Sequence, residues 1–103
     1  MKIEILSLAE QDLLEGYHFY EKQAPGLGNY FLENIYSDID SLARYAGIHM
    51  RPHKNFYRLL SKKFPFAIYY TVEGETAFVH AVLDGRRNPE WTQRRLARVN
   101  FPL

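Results

Sequence analysis

Three apolar segments follow one another over residues 55–60, 64–72 and 76–84, and the gaps between them leave room only for hairpin turns. Ser61-Lys62-Lys63 fills the first gap and Glu73-Gly74-Glu75 the second. A three-stranded antiparallel meander is the arrangement such spacing allows. In the middle segment Phe64, Phe66, Ile68, Tyr70 and Val72 fall on one face, with Ala67, Tyr69 and Thr71 on the other. In the third, strict alternation sets Ala77, Val79, Ala81 and Leu83 against Phe78, His80 and Val82. Both strands are apolar on two faces, so the sheet needs cover on each side.

The flanking sequence supplies that cover. Residues 2–6 read as a short strand, and Ser7-Leu8-Ala9-Glu10 matches a capping box opening a helix. Ala9, Leu13, Tyr17, Tyr20 and Ala24 recur at helical spacing until Pro25-Gly26 ends the run. A second helix is expected over residues 29–46, with Phe31, Ile35, Ile39, Leu42 and Ala46 on one stripe. Its acids Glu33, Asp38 and Asp40 fall mainly off that stripe. Two helices joined by a short Pro-Gly turn make an antiparallel hairpin. Residues 47–54 read as a loop, and residues 89–99 as a final helix with Pro89 in its first turn. The expected fold is α+β: an N-terminal strand, an antiparallel two-helix hairpin, a three-stranded antiparallel meander and a short C-terminal helix. It occupies residues 1–103 as one domain.

Apolar residues make up 47% of the chain and aromatics 16%, a globular composition. No apolar run reaches the roughly 18 residues of a membrane span. The first residues lack a signal-peptide hydrophobic region, so a soluble cytoplasmic protein with no membrane association is expected. With no cysteine, disulfides and thiolate chemistry are excluded. The net charge of +1 conceals an asymmetry. Residues 1–50 carry three basic and eight acidic side chains, net −5; residues 51–103 carry ten and four, net +6. An electropositive face that recruits an acidic or nucleic-acid partner accounts for this, and so does a solvated basic face.

His18, His49, His53 and His80 show no metal-ligand spacing, Gly26-Leu27-Gly28 suits a helix–helix turn better than a phosphate loop, and no cofactor motif is present. His80 on a central strand reads as a core histidine. The basic residues carry more information. Arg58 lies mid-strand on the face of Phe56 and Leu60, and Lys62 and Lys63 sit on the adjacent turn. Arg86 and Arg87 leave the last strand at the end nearest that turn, so the set is expected to converge on one rim, as contact with phosphate or another anion requires. Trp91 and Tyr69 could stack a base, while Trp91 also suits plain anchoring of the last helix. A structural salt bridge to a helix acid would equally explain Arg58.

Three stretches carry a family resemblance. They are Tyr20-Glu21-Lys22-Gln23-Ala24-Pro25-Gly26-Leu27-Gly28 followed by Phe31; Phe64-Pro65-Phe66-Ala67-Ile68-Tyr69-Tyr70; and Ala81-Val82-Leu83-Asp84-Gly85-Arg86-Arg87-Asn88-Pro89-Glu90-Trp91. With the element order, they make the chain resemble the RelE/ParE superfamily of toxins from type II toxin–antitoxin systems, the plasmid stabilisation proteins. The RelE branch implies a ribosome-dependent endoribonuclease acting on mRNA, and by position Arg58 and Arg86 or Arg87 would match its basic residues. Ala67 stands where that branch has an arginine, and Trp91 near where it has a tyrosine, so an acid–base hydroxyl is missing there. If Ala67 faces solvent among basic neighbours, the ribonuclease reading weakens further. The ParE branch implies a non-enzymatic inhibitor of DNA gyrase with a basic C-terminal helix, similar to Gln93-Arg94-Arg95-Leu96-Ala97-Arg98. The ParE-like reading is preferred. Either branch implies a cognate antitoxin, acidic where it meets the toxin; an inactive relative that only binds antitoxin is the third reading.

Overall fold

The computed structural model describes residues 1–53 and 55–98, so the expected end of the last helix at Val99, like Lys54, lies outside the described residues. Strand β1 (Lys2–Ile5) leads into helix α1 (Ser7–Glu21), and α2 (Leu27–Asp40) returns beside it. A short α3 (Leu42–Tyr45) follows. Then come β2 (Met50–His53), β3 (Phe56–Leu60), β4 (Phe66–Glu73), β5 (Thr76–Asp84) and α4 (Pro89–Ala97). The five strands form one sheet in the order β1-β5-β4-β3-β2. The meander β3-β4-β5 is antiparallel as the spacing predicts, and β1 lies parallel to the outer edge of β5.

Two apolar layers flank this sheet. On one face Ala9, Leu13 and Tyr20 of α1 and Phe31, Ile35 and Ile39 of α2 pack on Phe66, Ile68 and Tyr70 of β4. On the other, Leu96 and Trp91 of α4 cover Phe56, Ala67, Tyr69, Ala81 and Leu83. The hairpin closes tightly because Gly16 and Gly28 lie at the crossing. A Cβ on Gly16 would come within 2.6 Å of the Phe31 ring, and one on Gly28 within 2.8 Å of the Tyr17 carbonyl. Glu21 organises the turn by accepting the Gly26 and Gly28 amides at 3.1 and 3.0 Å, so its carboxylate serves the N-terminus of α2.

The chain departs from the alternation and spacing in five places. Ser7 forms no capping box: Leu6 is the cap residue, its amide held by the Val79 carbonyl at 3.0 Å, and the helix starts one residue early. The second helix breaks at Ser41, whose hydroxyl donates to the Asp38 carbonyl at 2.6 Å and competes with the helical ladder. Asp38 is buried, not solvated, because its carboxylate accepts the Ser61 hydroxyl at 2.7 Å. Residues 50–53, expected as loop, add an edge strand to β3; Pro52 hides it in the sequence but is tolerated at a sheet edge.

The last departure is in β5. Tyr70 pairs with Val79 but Tyr69 pairs with Ala81, leaving His80 as the extra residue of a bulge. Alternation therefore flips. Ala77, Val79 and Val82 face the helical hairpin, while Ala81 and Leu83 face α4.

Candidate functional site

The turn between β3 and β4 meets the exit of β5 through backbone. Phe66 pairs with Asp84, and the Gly85 amide donates to the Pro65 carbonyl at 2.7 Å. Lys62, Lys63, Arg86 and Arg87 thus leave one end of the sheet, all of them exposed. Their side chains then separate. Arg86 turns to the hairpin side, with Nη2 2.7 Å from Asp84 and the guanidinium beside the Tyr20 hydroxyl. That hydrogen bond holds the Asp84 carboxyl below its ordinary range. Lys63 also goes to the hairpin side, its Nζ 5.8 Å from the centre of the Tyr30 ring. Only Arg58 and Arg87 line the same cavity on the opposite face.

That cavity, about 280 Å3, opens between β3, β4 and the start of α4, and Leu60, Ala67, Tyr69, Gly85, Pro89 and Thr92 complete its lining. Arg58 stands mid-β3 opposite Tyr69, on the face of Phe56 and Leu60. Its Nε is buried without a hydrogen-bond partner, and its guanidinium lies against the Tyr69 hydroxyl. It forms no salt bridge to a helix carboxylate among the described residues. Burial raises the Tyr69 hydroxyl above the ordinary phenol range, and Arg58 only partly opposes that. Arg87 stacks on Trp91, its guanidinium carbon 4.3 Å from the ring centre. Trp91 packs on the sheet as an anchor and orients Arg87 as well.

Ala67 forms part of the floor at 1% exposure, so it lies among basic neighbours but does not face solvent. Gly85 stands in the sequence beside the two arginines, whereas Thr92 carries no mark of a site residue. Its i, i+4 spacing to Leu96 places it only on the sheet-facing stripe of α4.

A second cleft of about 220 Å3 runs along the edge of β5 where β1 has ended, between α1 and Trp91. Asp12 lines it together with Glu15, Asp84 and Arg87. The Asp12 Oδ2 takes the Val82 amide at 3.0 Å and Arg95 Nη2 at 2.6 Å, and Arg95 also donates to the Leu8 carbonyl at 3.1 Å. This buried pair fastens α4 to α1. Desolvation raises the Asp12 carboxyl above its ordinary range despite Arg95. Neither Asp12 nor Arg95 was distinguishable in the sequence from neighbouring solvated charges.

His80 is a core residue, with Nε2 2.8 Å from the Thr71 hydroxyl, and burial lowers it to about 4. His49 binds the Tyr70 hydroxyl through Nδ1, and burial lowers its pKa. No group of three metal-ligating side chains occurs among the described residues. No helix of the described residues is long and apolar enough to cross a membrane.

No family model and no curated protein matches the chain. Among solved structures, the chain is similar to one from the chromosomal ParDE TA system of P. aeruginosa. The TM-score is 0.73 at 20% identity, over 80% of this chain and 92% of that one. The α+β architecture, with its N-terminal strand, helical hairpin, antiparallel strands and C-terminal helix, is therefore ParE-like.

Proposed function

We propose that the chain is the toxin of a toxin–antitoxin pair, that it acts by binding a host target and not by cutting one, that the target is DNA gyrase, and that a cognate antitoxin neutralises it. The carrying observation is the cavity shared by Arg58 and Arg87. It is cationic, and the described residues that line it include no carboxylate and no group that exchanges protons near neutral pH. Cleaving RNA through its 2′-hydroxyl needs one group to take a proton and another to protonate the leaving oxygen. Guanidinium groups stay protonated, the Tyr69 hydroxyl is raised, and tryptophan at 91 has no ionisable group. That chemistry favours recognition over hydrolysis. Fold likeness to a component of a ParDE TA system supports the toxin half of the reading.

Induced expression, with and without the small gene beside its own, tests the toxin reading. Growth arrest relieved by the neighbour is expected, along with loss of gyrase supercoiling and intact ribosome-bound mRNA. Unchanged growth in both cultures would identify an inactive relative. Cleaved mRNA, abolished by Arg87→Ala while supercoiling continues, would establish the ribonuclease instead.

A further inference from the structure

Arg58 and Arg87 meet in a recess with no acid among the described residues that line it. Asp84, three residues before Arg87, is taken by Arg86 outside the recess. Arg58 holds one buried donor with no acceptor, and Arg87 is held on the Trp91 ring with no salt bridge among the described residues, its charge acting on Asp84 only from a distance. A guanidinium presents several donors in a planar fork, so two of them facing one space call for an oxyanion. The walls, Leu60, Ala67 and Pro89, are apolar.

We infer that this cavity receives the carboxylate of a single Asp or Glu side chain from a polypeptide partner, whose adjoining apolar residue rests on Leu60. The inference rests on the toxin–antitoxin reading above, and it makes the neutralising polypeptide the occupant. A nucleic-acid backbone is the poorer fit. Binding a polyanion needs a track of cations along successive phosphates, and here Arg86 and Lys63 lie on the other side of the sheet, against Tyr20 and Tyr30. An isolated pair of forks in an apolar recess suits one carboxylate on an aliphatic stem. Leu60, 60% exposed at the mouth, suits the apolar neighbour. Neutralisation is then direct: the antitoxin covers the surface proposed to meet the target.

The test uses the whole chain and the polypeptide encoded by the neighbouring gene. Arg58→Gln and Arg87→Gln remove charge while keeping a polar side chain, and Leu60→Glu places a like charge at the mouth from an exposed position. Far-UV circular dichroism and urea midpoints establish that each variant is folded. By calorimetry at fixed salt, each variant is expected to bind the partner about tenfold more weakly, and the double arginine variant about a hundredfold. One acidic residue of the partner, changed to its amide, should have no further effect in the double variant. Wild-type affinity in the double variant, or no single coupled acid, would overturn the inference and leave the toxin reading standing. So would a short oligonucleotide whose binding requires both arginines while partner affinity is unchanged. Absence of any wild-type complex would instead defeat the toxin–antitoxin reading, and this inference with it.

Discussion

His80 occupies the bulge of β5 with its imidazole against Thr71, and its folded-state pKa falls to about 4. Unfolding returns the ring toward 6.5, so between those values the unfolded chain binds a proton that the folded chain refuses. The stability that depends on neutral His80 is therefore complete above pH 6.5 and lost as pH falls toward 4. The loss is up to about 3 kcal/mol. Urea midpoints measured from neutral pH down to the low fives should decline, and His80→Gln should flatten that decline; an equal slope in the variant would remove His80 as its source. Asp12 acts in the opposite direction. Its raised carboxyl favours the fold below the unfolded carboxylate pKa, and this contribution is lost as pH rises through the folded value. Glu21 has a purely local role. Glu21→Ala frees the Gly26 and Gly28 amides at a helix with no acid in its first turn, and should lower unfolding free energy by about 1 to 2 kcal/mol.

At the level of elements, a buried ion pair fastens α4 to α1 beside the apolar contacts of Leu96 and Trp91. Asp12→Ala would leave Arg95 charged and buried, with side-chain exposures of only 8% and 10% for the pair, and should cost about 3 to 5 kcal/mol. Replacing both, as Asp12→Leu with Arg95→Met, should recover most of that loss but not all, because the Val82 amide still loses its acceptor. Denaturation of the two single variants and the double variant checks the non-additivity; simple addition would contradict a coupled pair. The elements themselves were largely legible. Period-2 alternation defined β4, helical spacing defined α1 and α2, and the short gaps defined the meander. What stayed hidden depends on the partner a residue meets and not on its own pattern. The β2 strand exists because β3 offers it an edge, the flip in β5 arises from one extra residue at His80, and Asp38 is buried because Ser61 reaches it. The rim was legible as backbone and not as side chains, since Arg86 and Lys63 are drawn away by Asp84 and Tyr30.

Across the whole molecule, the charge asymmetry of the sequence becomes a difference between elements, with Arg86 and Lys63 of the positive half turned to the hairpin side. The net −5 half, residues 1–50, contains β1, the helical hairpin and α3, and the net +6 half, residues 51–103, contains most of β2, all of β3, β4 and β5, and α4. A partner with an acidic segment would therefore be steered toward the α4 side before any close contact forms. Arg94 on α4 and Arg98 at its C-terminal cap are exposed and do not line the arginine cavity. They test long-range attraction without disturbing the recess. Reversing both to Glu should slow association with the neighbouring gene's product severalfold at low salt. Dissociation should be nearly unchanged, because outlying charges act mainly on encounter. Raising ionic strength shortens the screening length from about 10 Å at 0.1 M to about 3 Å at 1 M, and the two proteins' association rates should converge. Stopped-flow mixing across a salt series measures both rates. A variant that dissociates faster while associating normally would place Arg94 or Arg98 inside the interface and refute steering as their role.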